Sequence, residues 1–180
     1  MQAKKKNLFP LLYSISRVFL CMEITQEMKE AMILSLLRHD KTPSGAECSF
    51  FKFGTVGVKF YGYGLNAKSS AKKAFDQQSR CYASGLAPKP GKVFAITVKG
   101  AGDFGEAMQL HGYTTEVAIT LGRGQQVNEE EFYRMQDKLI EASLPYGDLH
   151  GANVGYVVDE ETDAFKLVPI DFGRHFTGDW

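Results

Sequence analysis

The chain has 180 residues, 44% hydrophobic and 23% charged, enough for one domain with a packed core or for two small lobes. Lysine plus arginine number 21, as do aspartate plus glutamate. That balance excludes a global field for nucleic acid or an anionic membrane, so any phosphate must be bound by a local site.

Lys4-Lys5-Lys6 before the apolar run at 8–21 imitates a signal peptide, but Arg17 interrupts the run and no small-x-small cleavage site follows. Cys21, Cys48 and Cys81 form no Cys-x-x-Cys pair, which argues against a disulfide framework and a zinc cluster and fits a reducing cytoplasm. Nothing approaches the ~20 apolar residues of a membrane span.

Thr25 can cap a helix running to about Arg38, with Met28, Met32, Ile33, Leu36 and Leu37 as its apolar stripe. Two β-prone runs, at 50–53 and 58–61, are joined by Gly54-Thr55-Val56-Gly57 and predict a hairpin with a four-residue loop. A helix over 70–84 follows, closed by Gly85 and Pro88. Strands are expected at 93–98 and 113–121, on either side of a Gly-rich stretch at 100–105. These runs describe a small antiparallel sheet with one helix packed on it.

Asn128, followed by Glu129, Glu130 and Glu131, starts a helix to about Ser143 whose buried face is Phe132, Met135, Leu139 and Ile140. Residues 154–158 and 165–170 then make a hairpin around the polar tip at 159–163.

Phosphoryl transfer needs a carboxylate near the accepting hydroxyl, oxygen ligands for Mg²⁺, and a cation for the spread negative charge. Tyr146-Gly147-Asp148-Leu149-His150-Gly151-Ala152-Asn153 has the Asp-Leu-x-x-x-Asn spacing of a kinase catalytic loop, and Asp171-Phe172-Gly173 follows an apolar run. In these residues the chain resembles the protein-kinase-like superfamily, and Gly-Asp-Leu-His is more similar to the aminoglycoside and choline kinase group. Asn153 and Asp171 are equidistant from Thr162, so a symmetric hairpin would make them cross-strand neighbours able to share one cation. Asp103-Phe104-Gly105 is a second such triplet. It precedes the Asp148 loop and follows Gly100-Ala101-Gly102 instead of a strand, so it reads as a turn.

The resemblance implies that Lys59 binds the nucleotide phosphates and that the helix after it is the family's helix C. Gln78 stands nineteen residues beyond Lys59, about where the lysine's glutamate partner is expected. It shares an apolar face with Ala71, Ala74, Phe75, Cys81 and Tyr82, while Lys72, Lys73, Asp76, Gln77 and Arg80 fall opposite. Its carbonyl oxygen is expected to accept from Lys59; the alternative is that Gln78 bonds nearby backbone and Lys59 is solvated. Tyr113-Thr114-Thr115-Glu116-Val117-Ala118 resembles the strand entering the hinge, whose backbone at Glu116 and Ala118 would bind adenine; an ordinary edge strand would look much the same.

Two departures limit the likeness. No Gly-x-Gly-x-x-Gly precedes the first hairpin, leaving Ser44-Gly45-Ala46 as the candidate phosphate turn, and only residues 174–180 follow Gly173. His150 is a possible functional group or simply a cap of its loop; His39, His111 and His175 show no zinc spacing.

The expected fold is therefore α+β: a compact protein-kinase-like chain with an N-terminal helical extension at 1–45, an N-lobe-like antiparallel sheet with helix C at 46–121, and a reduced, mostly helical C-lobe at 122–180. The implied activity is transfer of the γ-phosphoryl group of ATP to a hydroxyl of a protein or small molecule, with Asp148 and Lys59 catalytic, Lys59, Gln78, Glu116 and Ala118 on the nucleotide, and Asn153 and Asp171 on Mg²⁺. A catalytically silent nucleotide-binding module acting on a partner is the second reading, and a metal-dependent hydrolase using Asp148, His150 and Asp171 the third. The first 40 residues are expected either to stand in for the absent lobe or to form a homodimer through the apolar stripe of the N-terminal helix. No nucleic acid or membrane partner is expected.

Overall fold

The computed structural model describes residues 23–38, 48–63, 65–99, 107–121, 125–144, 146, 149–159 and 161–172. The signal-like stretch, Ser44-Gly45-Ala46, Asp103-Phe104-Gly105, Asp148 and residues 173–180 lie outside them. The described part is mixed α+β, with three α-helices, a four-stranded antiparallel sheet and a separate two-stranded hairpin.

Helix α1 (Gln26–Arg38) begins where Thr25 Oγ1 accepts the Met28 N–H at 3.2 Å, the expected cap. Its Met28 and Met32 are buried with Val56, Val58, Phe60 and Leu110 on one face of the sheet. Full burial of such side chains stabilises by roughly 1.5–3 kcal/mol each. These two methionines are therefore spent inside the chain, and the part of the stripe they form is not open to a second copy.

Strands β1 (Ser49–Phe53) and β2 (Val56–Tyr63) pair with Phe53 opposite Val56. The loop between them is thus two residues, shorter than the expected four. Gly54 takes φ +60 and Thr55 does not share it, the pattern of a type II′ turn whose twist suits a hairpin. Helix α2 (Leu65–Ala83) starts earlier than the sequence suggested and ends as expected at Gly85, φ +71. Gly85 N–H donates to Tyr82 O and Leu86 N–H to Cys81 O, both at 2.8 Å, a Schellman closure that turns the chain back toward the sheet. Cys81 is buried here, and burial pushes its thiol up to about 12, the behaviour of a packing residue.

Strands β3 (Pro90–Val98) and β4 (Met108–Glu116) complete the sheet in the order β1-β2-β4-β3. The last strand starts and ends about five residues before the expected span, and it is central, not an edge. Tyr113 and Thr115 face α2 while Leu110 faces α1, so the sheet is covered on both sides. Helix α3 (Glu129–Glu141) is capped by Asn128, whose Oδ1 accepts the Glu131 N–H. Met135 and Leu139 are buried, but Ile140, expected beside them, is 63% exposed.

A short 3-10 turn (Gly151–Asn153) leads into the hairpin of β5 (Val154–Val158) and β6 (Phe165–Pro169). The part after the sheet is one helix, one turn and this hairpin among the described residues, less helical than expected. At the hairpin tip Asp159 accepts from Glu161 N, Thr162 N and Thr162 Oγ1 and pairs with Lys166, an Asx turn that holds its carboxyl well below the usual range chiefly through the Lys166 ammonium. The second core joins Ala74 and Cys81 of α2, Tyr113, Met135 and Leu139 of α3, Val154, Leu167 and Phe172.

Gly112 shows how closely β4 is enclosed, since a Cβ there would lie 2.4 Å from the Lys59 carbonyl oxygen and 2.5 Å from the Phe94 ring. The backbone oxygen cannot yield without breaking the β2–β4 ladder. We expect Gly112→Ala to destabilise the chain by about 1–3 kcal/mol, measured as a lower denaturant midpoint. An unchanged midpoint would mean that these strands are not held at this spacing.

Candidate functional site

Four separate elements meet around Lys59. The lysine lies on β2 directly opposite Tyr113 of β4, and its side chain crosses to the segment after β6, where Nζ donates to the Ile170 carbonyl oxygen at 2.6 Å. Tyr61 Oη donates to the Phe172 carbonyl at 3.2 Å, and Tyr146 Oη donates to the Asp171 carbonyl. Three consecutive carbonyls, 170 to 172, are thus each held by a side chain from elsewhere. This is possible because β6 ends at Pro169: beyond it the backbone acceptors are released from the ladder and need other donors.

Lys59 is 6% exposed. Its ammonium stands 5.7 Å from the centroid of the Tyr113 ring and 5.2 Å from that of Phe172, which is itself 1% exposed. No carboxylate makes an ion pair with it among the described residues, and Ile170 O is the one oxygen it reaches there. Burial lowers its pKa; Cys48 and the Asp171 carboxylate oppose that shift. Burial likewise raises the hydroxyls of Tyr61 and Tyr113, which stay protonated as donors.

Gln78 is fully buried on the apolar face where the sequence placed it, but its expected partner is a different residue. Its Oε1 accepts from Tyr113 Oη at 2.9 Å, while Nε2 donates to Pro88 O at 2.9 Å and to Thr115 Oγ1 at 2.5 Å. The amide is satisfied by the loop and strand that α2 packs on, so the Lys59–Gln78 bond is not made. Lys59 is not solvated either. Gln77, assigned to the solvent face, is buried as well.

The hairpin places Asn153 and Asp171 one residue out of the expected register. Val154 pairs with Pro169, and the Ile170 N–H donates to Asn153 O at 2.9 Å, so Ile170 stands opposite Asn153 and Asp171 lies one step beyond. Both are half-buried oxygen donors at the open end of one hairpin, a donor type that suits Mg²⁺. Among the described residues no group of three or more His, Cys, Asp and Glu is placed to hold a metal.

At the expected hinge, Glu116 N–H donates to Lys89 O at 2.8 Å and Val117 N–H to Thr55 O at 3.0 Å. The Glu116 carboxylate accepts the Lys89 N–H at 3.0 Å. Glu116 therefore ties the strand to the loop after α2. Ala118 has no backbone partner among the described residues, and Ile119 and Tyr156 exchange bonds to join the two parts of the chain. His150 caps the 3-10 turn, its Nδ1 accepting the Ala152 N–H at 3.3 Å.

Two clefts lined by described residues flank these groups, and Lys59 lines neither. One of about 340 Å³ is lined by Val127, Phe132, Tyr133 and Gly151, and one of about 540 Å³ lies between the end of α2 and the hairpin tip. Sequence reasoning missed Tyr61, Tyr113 and Tyr146. Their only signal was the spacing that puts Lys59 and Tyr61 on one face of a strand.

No family model matches the sequence, and no curated protein matches it. Among solved structures, the MAP kinase LmaMPK10 of Leishmania major is similar at a TM-score of 0.35 and 15% identity, covering 81% of this chain and 51% of that one. The chain spans about half the length of that kinase. The likeness is distant and says nothing of activity. No described helix is long and apolar enough to cross a membrane.

A buried ammonium with one oxygen partner is a cost to the fold. We expect Lys59→Met to raise the melting temperature at neutral pH, by about 2–4 °C for each ~1 kcal/mol of net relief. The unfolded chain binds more protons than the folded one between the lowered pKa of Lys59 and its ordinary value, so wild-type stability rises with pH across that window. The advantage of the variant should shrink there. A variant less stable than wild type at every pH would show that the Ile170 contact outweighs the burial cost.

Proposed function

We propose that the chain is an ATP- and Mg²⁺-dependent phosphotransferase that moves the γ-phosphoryl group to a hydroxyl on a protein or small molecule. The observation that carries this reading is Lys59: a buried cation that makes no ion pair with a carboxylate among the described residues, beside the Asp171-Phe172 backbone. Such a charge is tolerated where a ligand supplies the missing anion, and polyphosphate fits the need. The adjacency of the lysine strand, α2 and the strand leading to Ala118 supports the same assignment.

In this reading Lys59 binds the phosphates, Ala118 offers its backbone to adenine, and Asn153 and Asp171 would hold Mg²⁺. The metal, when bound, neutralises charge on the phosphates. Asp148 accepts the proton of the acceptor hydroxyl as its oxygen bonds to the γ-phosphorus and the bridging oxygen departs with ADP. Gln78 acts from behind and does not touch the nucleotide. The silent-module reading is favoured by one feature, the docking of Lys59 on Ile170 O in place of an acidic partner on α2.

Affinity for Mg·ATP and turnover with labelled ATP separate the two. We expect Asp148→Asn to keep nucleotide affinity and lose ~10²–10⁴-fold in turnover, while Asp171→Ala loses both and its thermal stabilisation by ATP no longer responds to chelator. Wild-type turnover in Asp148→Asn would sink the mechanism. Tight Mg·ATP binding with no transfer by the wild type, to itself or to a cell lysate, would establish the silent module.

A further inference from the structure

The assignment of Lys59 leaves open what holds it ready, because Gln78 of α2 bonds Tyr113, Thr115 and Pro88 and not the lysine. The structure contains an indirect route. Tyr113 is fully buried, its hydroxyl is fixed on Gln78 Oε1 at 2.9 Å, and the Phe75 ring of α2 meets it edge-on at 5.6 Å and 75°. The Tyr61 ring also stacks on it at 6.3 Å and 20°. The ring so clamped belongs to the residue directly opposite Lys59 in the β2–β4 register, and it lies under the ammonium at 5.7 Å.

We infer that Tyr113 is a positioning residue for Lys59: Gln78 anchors its hydroxyl, and its ring carries the ammonium by a cation–π contact, coupling α2 to the phosphate-binding lysine. This rests on the phosphotransferase reading. The Phe172 ring at 5.2 Å supplies a second face, so the lysine sits in an aromatic cradle closed on one side by the Asp171-Phe172 segment. A cation held this way keeps the donors not spent on Ile170 O for a ligand, whereas a carboxylate would occupy more of them. A merely structural Tyr113 would fill space and satisfy Gln78 without affecting the charge of Lys59.

The titration of Lys59 tells these apart. Among the described residues, the titratable groups shown to act on its ammonium are Cys48 before β1, Tyr113 on β4 and Asp171 after β6. Desolvation lowers the pKa and the ring face opposes that fall. Replacing the ring by an aliphatic group keeps water out but removes the π face, so the pKa must drop further. The test is ¹³Cε NMR titration of Lys59 in the nucleotide-free full chain, with Mg·ATP affinity measured in parallel.

Tyr113→Phe, which keeps the ring, is expected to titrate within a few tenths of wild type. Tyr113→Leu should fall by roughly half to one pH unit and bind Mg·ATP about tenfold more weakly. Mono-, di- and trifluorophenylalanine at position 113 drain the ring face while barely altering its shape. They should lower the Lys59 titration stepwise, which keeps the proposal falsifiable should Tyr113→Leu fail to fold. A Lys59 titration indifferent to fluorination, with Mg·ATP bound as tightly as by wild type, overturns the positioning role alone. The stepwise fall without any binding of Mg·ATP to the wild type overturns the phosphotransferase reading and, with it, the catalytic purpose of the cradle.

Discussion

The Lys59 ammonium is buried between two aromatic rings and tied to one carbonyl oxygen, and the geometry around it follows from that burial. A charge in such a place must be reached from several directions, and it is: β2 supplies the lysine, β4 the Tyr113 ring, and the segment after β6 both the Ile170 oxygen and the Phe172 ring. The same segment is held by Tyr61 and Tyr146 at the two following carbonyls. Sheet and hairpin are therefore joined through polar contacts to backbone as well as through apolar packing, and the position of Asp171 is fixed on both sides by its neighbours.

That arrangement depends on the sheet being enclosed on both faces. α1 covers the side of Val58 and Phe60, leaving the side of Lys59 and Tyr61 to α2 and the hairpin. Gly112 lets Phe94 and the Lys59 backbone close on β4, and Gln78 fastens α2 to β4 and to the loop at Pro88. Each of these is apolar packing or a satisfied amide, and together they stabilise the fold against the unfavourable burial of one cation.

The hairpin at 154–169, the α3 cap at Asn128 and the Gly85 closure were legible in the sequence because each is local: a cap, a turn and an alternation declare themselves within a few residues. The face of α2 carrying Gln78 was legible for the same reason. Its partner was not. Gln78 meets Tyr113 and Thr115 because β4 lies next to β2 in the sheet, and strand order is a long-range property that no local pattern encodes. Ile140 failed differently: it sits on the helical stripe, but the chain does not cover that end of α3. The early end of β4 reflects Lys89 and Thr55 taking the N–H groups of Glu116 and Val117, again partners distant in sequence.

The one-residue register difference at Asn153 matters more than its size suggests. A ladder continuing past Pro169 would have fixed Asp171 by strand alternation and spent the carbonyls of 170 to 172 on strand neighbours. Because the ladder stops, Ile170 N–H makes a final bond to Asn153 O while its own carbonyl is free to receive Lys59. The docking is compatible with ligand binding. In the proposed function, a phosphate at Lys59 would compete for one hydrogen bond of the ammonium and would engage donors that no described oxygen occupies, and a bond between two ions is the stronger kind. The contact with Ile170 thus gives a buried charge one oxygen partner, and under the proposed function it would be weak enough, beside an ion pair, to be shared with an entering anion.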